Sequence, residues 1–103
     1  MPPVTHIVLV KFRQDVPEKT RQAAFDELAA LQGVLEGMVS ATFGTNASPE
    51  GFSRGYNDGF VMVFTDRASA DAYLAHPAHQ VAGAHLVSLL EGGAESGLLV
   101  VDL

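Results

Sequence analysis

The sequence predicts an α+β fold in the order βαββαβ, a four-stranded antiparallel sheet with helices on one face, and three observations carry that expectation. Two short runs, Val4 to Phe12 and Phe60 to Phe64, are rich in the β-branched and aromatic residues that strands favour. Two other segments, one opened by Pro17 and one by Pro77, repeat apolar residues at spacings of three and four, the period of a helix buried on one side. The chain's 103 residues, 48% hydrophobic and only 17% charged, make one domain spanning residues 1–103, with a single core and no room for a second.

The first strand places His6, Val8, Val10 and Phe12 on one face and Thr5, Ile7, Leu9 and Lys11 on the other, so apolar groups occupy both faces. Helices suffice for one layer only. The second cover is most simply another subunit's sheet, and a homodimer through the sheet face is expected. Pro17 then opens a helix of about 17 to 32, with Glu18 in the first turn, where the helix dipole favours an acid. Phe25, Leu28, Leu31 and Leu35 mark its apolar side, and Gly33 is its expected stop, through the left-handed cap that glycine adopts cheaply. Met38 to Gly44 alternates as a half-polar strand. Thr45 to Arg54, with Asn, Ser, Pro and Gly in quick succession, reads as a loop longer than a tight hairpin needs. The run Phe60 to Phe64 is so apolar that it belongs in mid-sheet, buried on both faces. Asp66 suits the N-cap of a helix through Ala70 and Ala72 to Tyr73, and Ala82, Leu86, Leu89 and Leu90 mark the next helix. Gly92-Gly93 ends that helix, and Leu98 to Leu103 supplies the last strand. The order is the split βαβ, or ferredoxin-like, plan.

The stretch with most chemistry is Tyr73-Leu74-Ala75-His76-Pro77-Ala78-His79. Proline disfavours helical dihedrals in the residue before it and suits the first turn of a new helix, so one helix ends and another begins here. Tyr73, His76 and His79 gather at that corner, and imidazole titrates closest to neutrality of all side chains. The bland alternative is that these histidines are caps or satisfied surface groups. A metal held by His76 and His79 with Asp58 or Asp71 lacks a third ligand at a recognisable spacing, so no metal is expected. No cofactor motif is present either, since the glycines near 51–59 do not form a phosphate-cradling pattern. Six basic residues, scattered along the chain, against twelve acidic ones give a net charge of −6, which argues against nucleic acid and against an anionic membrane. There is no cysteine, and the N-terminal apolar run is too short for a signal sequence or a span, so a cytoplasmic protein is the expectation.

Five pieces of the chain, in order, resemble the stress-responsive dimeric α/β-barrel (Dabb) domain family. They are His6 to Phe12, Gly44 to Ser48, Gly55 to Phe64, Tyr73 to His79 and Val100 to Asp102, and the tyrosine followed by H-P-x-H is the most specific. The resemblance implies ferredoxin-like subunits that pair sheet against sheet into a barrel. It also implies similarity to a plant branch that closes a linear polyketide by intramolecular aldol condensation without cofactor or metal. On that resemblance the base is His79, its partner is Tyr73, and His6 lines the pocket. His76, Val8, Phe25 and Phe60 are the further residues expected to contact a small hydrophobic carbonyl ligand. Parity agrees for His6, which shares a face with Val8 and Val10 and points toward the corner if that face meets the helices. The first helix offers Ala24, Phe25, Leu28 and Ala29 where the plant branch has several bulky aromatics, and Glu91 to Gly97 reads as a glycine-rich insertion, so pocket shape and substrate stay open. Two functions remain at this point. One is a cofactor-free, polyketide-cyclase-like lyase, cyclase or isomerase; the other is a non-catalytic stress-response or ligand-binding dimer.

Overall fold

A computed structural model describes residues 2–103. The elements are β1 (Val4–Val10), α1 (Glu18–Ala29) followed by a 3-10 turn (Ala30–Gly33), β2 (Met38–Thr45), β3 (Asp58–Phe64), α2 (Arg67–Ala75), α3 (Pro77–Ser88), a short α4 (Gly93–Gly97) and β4 (Leu98–Asp102). The strands form one sheet in the order β2-β3-β1-β4, and every neighbouring pair is antiparallel. This is the ferredoxin-like arrangement expected above, with the most apolar strands, β3 and β1, in the middle.

Parity decides which face is buried. Val4, His6, Val8 and Val10 of β1 lie against the helices together with Phe60, Met62 and Phe64 of β3. Phe25 and Leu28 of α1, Ala70 and Tyr73 of α2, and Ala82 and Leu86 of α3 close over them. The opposite face is formed by Ile7, Leu9, Val61, Leu99 and Val101, which the strand register brings side by side. Within one protomer Leu9, Val61, Leu99 and Val101 stay 38%, 36%, 43% and 49% exposed, so the two-sided burial read from β1 and β3 is not met inside a single chain.

Several boundaries differ from expectation: β1 ends at Val10, before Phe12, α2 runs on to Ala75, and α3 ends at Ser88, before Leu89 and Leu90; three further differences have clear physical reasons. Gly33 does not adopt a left-handed conformation; instead, the 3-10 turn tightens the end of α1, and the Leu31 carbonyl accepts from the amides of Val34 and Leu35 at 3.0 Å each. The segment before β4 is not a plain insertion. Gly92 and Gly93, at φ of 75° and 65°, reverse the chain after α3 and start α4. Strand β3 begins at Asp58 rather than Phe60, because Asp58 and Gly59 already pair with Val10 and Leu9. Residues 46–57 lack regular structure but are tied down. The Asn46 amide donates to the Asn57 carbonyl at 2.7 Å, and the Lys11 ammonium sits 4.5 Å from the Tyr56 ring centroid.

Gly59 illustrates how closely the central strands approach. A side chain there would be driven into the Val8 carbonyl oxygen and the Leu9 side chain, and the first of these is backbone that cannot step aside. Gly59→Ala is expected to cost about 2 kcal/mol or more of stability, measured by urea unfolding. A change within about 0.5 kcal/mol would show that β1 and β3 adjust freely, contrary to this packing.

Candidate functional site

The site is built at the α2–α3 corner. Asp66 caps α2 by accepting from the Ser69 amide at 2.8 Å, which starts the helix so that Ala70 and Tyr73 face the sheet. Pro77 keeps His76 extended, at φ −69° and ψ 133°, and this ends α2 at Ala75. His76 then becomes the N-cap of α3, its Nδ1 accepting from the Ala78 amide at 3.0 Å. One turn into α3, His79 swings back over the end of α2, where its Nδ1 lies 3.2 Å from the Leu74 carbonyl oxygen. A carbonyl can only accept, so Nδ1 carries the proton and donates, leaving Nε2 with its lone pair free.

Tyr73 and His79 are in ring contact, with centroids 4.3 Å apart. Tyr73 is 1% exposed and packs on Phe64 at 5.1 Å and His6 at 5.9 Å between centroids. Among the described residues its hydroxyl has no hydrogen-bond partner, and no fully enclosed polar side-chain atom there lacks one. The hydroxyl therefore borders open space, and the space it borders is a cavity of about 340 Å³ between the sheet and the helices. His6, Val8, Phe60, Tyr73 and His79 all line that cavity, and so do Leu28, Gly83 and Val100.

Two of the expected contact residues lie elsewhere. His76 faces a separate surface depression with Leu35 and Asp66, because its ring is committed to capping α3. Phe25 is one helical turn too early on α1. It stacks on Phe12, Phe43 and Phe60 at centroid distances of 5.5, 5.2 and 5.9 Å, toward the β2 edge, and the residue α1 presents to the cavity is Leu28. His76 and His79 thus point to different places, and among the described residues no group of three His, Cys, Asp or Glu side chains is arranged to hold a metal. His85 joins α3 to α1 through Glu27 at 2.9 Å.

One partnership was not foreseen. His6 Nδ1 lies 2.7 Å from Asp102 Oδ1, and Asp102 Oδ2 accepts from Arg67 Nη2 at 3.0 Å. The carboxylate fixes the His6 ring with Nδ1 protonated and directs Nε2 away from Asp102. The β1–β4 register sets Asp102 directly opposite His6, and strand alternation makes readable only that Val100 and Asp102 share a face. Which strand β4 pairs with, and in what register, was not readable.

The electrostatics follow from burial and these partners. Burial pushes the Tyr73 hydroxyl far above its ordinary value, so it stays a proton donor at neutral pH. Burial also lowers the His79 imidazole, against a smaller opposing effect of the Leu74 carbonyl, and so favours the neutral, proton-accepting ring. The His6 hydrogen bond, with help from Arg67, holds Asp102 below the usual carboxylate range. Because the folded value lies below the unfolded one, this stabilisation is fully present above about pH 4 and is lost as pH falls through the folded value. Asp102→Asn is therefore expected to show a flatter dependence of melting temperature on pH between neutrality and about pH 3 than the wild type in scanning calorimetry. An unchanged acid limb would mean that the His6–Asp102–Arg67 chain contributes nothing there.

Comparison with known proteins places this geometry. A dimeric ferredoxin-like protein of unknown function from Jannaschia sp. CCS1 superposes with a TM-score of 0.90 at 37% identity, covering 98% of this chain and 97% of that one. The stress-response A/B barrel domain-containing protein HS1 of Arabidopsis thaliana is 30% identical over 77 residues, 75% of this chain and 71% of that protein. Olivetolic acid cyclase of Cannabis sativa is 22% identical over 76 residues, 74% of this chain and 75% of that protein. Among the described residues, no helix is long and apolar enough to cross a membrane. The stress responsive A/B barrel domain (Dabb) profile matches residues 4–103, and the chain belongs to that family.

Proposed function

We propose that this protein is a small acid–base catalyst that needs no cofactor and acts on a hydrophobic carbonyl compound held in the cavity beside Tyr73, as a lyase, cyclase or isomerase. The observation that carries the reading is the Tyr73–His79 pair. The two rings touch at 4.3 Å between centroids, one keeps its proton because it is buried, and the other is held neutral with Nδ1 pinned to the Leu74 carbonyl. His79 Nε2 removes a proton from the carbon next to the substrate carbonyl. The Tyr73 hydroxyl donates to the oxygen as enolate charge develops, in a largely apolar cavity where such a hydrogen bond is stronger than in water. The enolate carbon then attacks a second carbonyl in a cyclisation, or is reprotonated by the His79 imidazolium in an isomerisation. His6, oriented by Asp102, supplies a second imidazole to the same cavity. The name of the cyclase relative supports this class of chemistry.

We further propose that the protein works as a homodimer joined through the apolar sheet face of Ile7, Leu9, Val61, Leu99 and Val101. The bareness of that face in one protomer supports the reading, as does the dimeric description of the Jannaschia neighbour.

The catalytic reading is tested without knowing the natural substrate. Hexanophenone is incubated with the protein in deuterium oxide, and loss of the protons next to its carbonyl is followed by NMR. Catalysed exchange is expected in the wild type. Exchange no faster than buffer, for this and a panel of alkyl and aryl ketones, would contradict proton abstraction at this site.

A further inference from the structure

Arg67 stands where its own helix has no use for a cation. It is the first residue of α2, where the helix dipole opposes positive charge, and no acidic residue follows the Asp66 cap in that first turn. Its guanidinium reaches across to the sheet instead. Nη2 donates to Asp102 Oδ2 at 3.0 Å, and Nη1 lies 3.6 Å from Asp71 Oδ1, one turn further along α2. The other oxygen of Asp102 faces His6 Nδ1 at 2.7 Å. Asp71, Arg67, Asp102 and His6 thus form a chain from the exposed side of α2 to a ring that is only 5% exposed.

That chain decides how His6 meets the cavity. Asp102 belongs to the edge strand β4, and its side chain is 27% exposed, so water competes for the carboxylate. A carboxylate held at one oxygen can still turn toward water. Held at both oxygens, by β1 on one side and α2 on the other, it cannot turn without breaking a charge-assisted hydrogen bond. With Asp102 fixed, His6 Nδ1 donates to it whatever the charge of the ring, and Nε2 is left on the opposite side. Among the described residues Nε2 has no hydrogen-bond partner, and no fully enclosed polar side-chain atom lacks one, so Nε2 borders the open space that His6 lines.

We propose that Arg67 is a positioning residue for His6: through Asp102 it holds the ring with its proton on Nδ1 and with Nε2 toward the cavity. This role rests on the proposed reading of the cavity and deepens it, because it makes a cavity imidazole depend on an exposed side chain of another element.

The test is long-range proton–nitrogen correlation NMR of the His6 ring at neutral pH in wild type, Arg67→Gln and Arg67→Lys, with hexanophenone proton exchange measured on the same proteins. In the wild type His6 is expected to show a hydrogen-bonded Nδ1 proton that exchanges slowly with water. In Arg67→Gln that proton is expected to exchange about fivefold faster or more, and ketone exchange to slow roughly threefold, in kcat and not in KM. Arg67→Lys keeps a cation within reach of Asp102 but not the fork that spans Asp102 and Asp71, and is expected to fall between the two. Salt at about 1 M screens the exposed guanidinium, so it should speed Nδ1 proton exchange in the wild type and have no such effect in Arg67→Gln. The salt arm on the wild type decides the point even if a variant does not fold. A His6 Nδ1 proton that is indifferent to both salt and Arg67→Gln overturns the positioning role, and a lowered melting temperature with those signals intact reduces Arg67 to a strut between α2 and β4. If none of the proteins exchanges the ketone protons faster than buffer, the catalytic reading falls, while the His6 signals still decide the link to Arg67.

Discussion

His79→Gln is expected to lower ketone proton exchange, and turnover of any substrate found, by roughly 10²- to 10⁴-fold, the range that a positioned general base contributes. Glutamine can fill most of the imidazole's volume and still donate to the Leu74 carbonyl, which His79 Nδ1 now does at 3.2 Å, so circular dichroism and oligomeric state should not change. Tyr73→Phe keeps the contacts with Phe64 and His6 and removes only the oxyanion donor. Its loss should appear in kcat, at roughly 10²-fold, with little change in KM. The pH profile gives an independent check. Burial keeps the His79 ring neutral to lower pH than an exposed histidine, so the acid limb of kcat/KM should fall below the ordinary value of about 6.5. A limb at or above that value, or a His79→Gln protein that is fully active, would remove His79 from the base's role.

The second large effect concerns assembly. Val61 lies on the central strand β3 of the outer sheet face, paired to Ile7 on one side and Thr42 on the other, and Ile7, Leu9, Leu99 and Val101 continue the same face as apolar groups that are partly bare in the protomer. If a twin covers this face, a lysine at 61 buries an unpaired ammonium against the partner's sheet. Val61→Lys is then expected to convert a dimer into a monomer or a sticky mixture at micromolar concentration, and to lower the melting temperature by about 5 °C or more. The wild-type melting temperature should rise with protein concentration, as it must when association and folding are linked. Sedimentation showing a monodisperse wild-type monomer at micromolar concentration, or a Val61→Lys protein indistinguishable from it, would contradict a dimer through this face. The cavity lies on the other side of the sheet, so weak exchange activity in a soluble Val61→Lys monomer would report coupling through strand rigidity and not a lost side chain.

Much of this was legible because local rules and the global fold agree. His6 could be assigned to the helix side of the sheet because β-strand parity ties it to Val8 and Val10, and the structure buries all three. Pro77 alone fixed the corner: it ended α2, started α3 and so set the distance between Tyr73 and His79. What failed to show in the sequence depended on tertiary register. Phe25 and Leu28 both belong to the apolar stripe of α1, and only the placement of α1 over the sheet decides which of them meets the cavity. His76 carries the same imidazole as His79, but its position before proline gives the ring a cap to make, and capping competes with any role in the cavity. Asp102 is 96 residues from His6, and no local pattern announces a pair formed by strand pairing. Gly83 reads in sequence as an ordinary small residue in an alanine-rich helix. That a Cβ there would stand 3.6 Å from His79 Nε2 appears only in three dimensions.

The most direct measurement is long-range proton–nitrogen correlation NMR of the histidine rings, with and without hexanophenone. The account predicts that His79 is the Nδ1–H tautomer at neutral pH, that it titrates below the ordinary histidine value, and that its Nε2 resonance and that of His6 move together when the ketone binds. A His79 ring that titrates as an exposed histidine and does not respond to any ketone would contradict a half-buried, poised base at the cavity's edge.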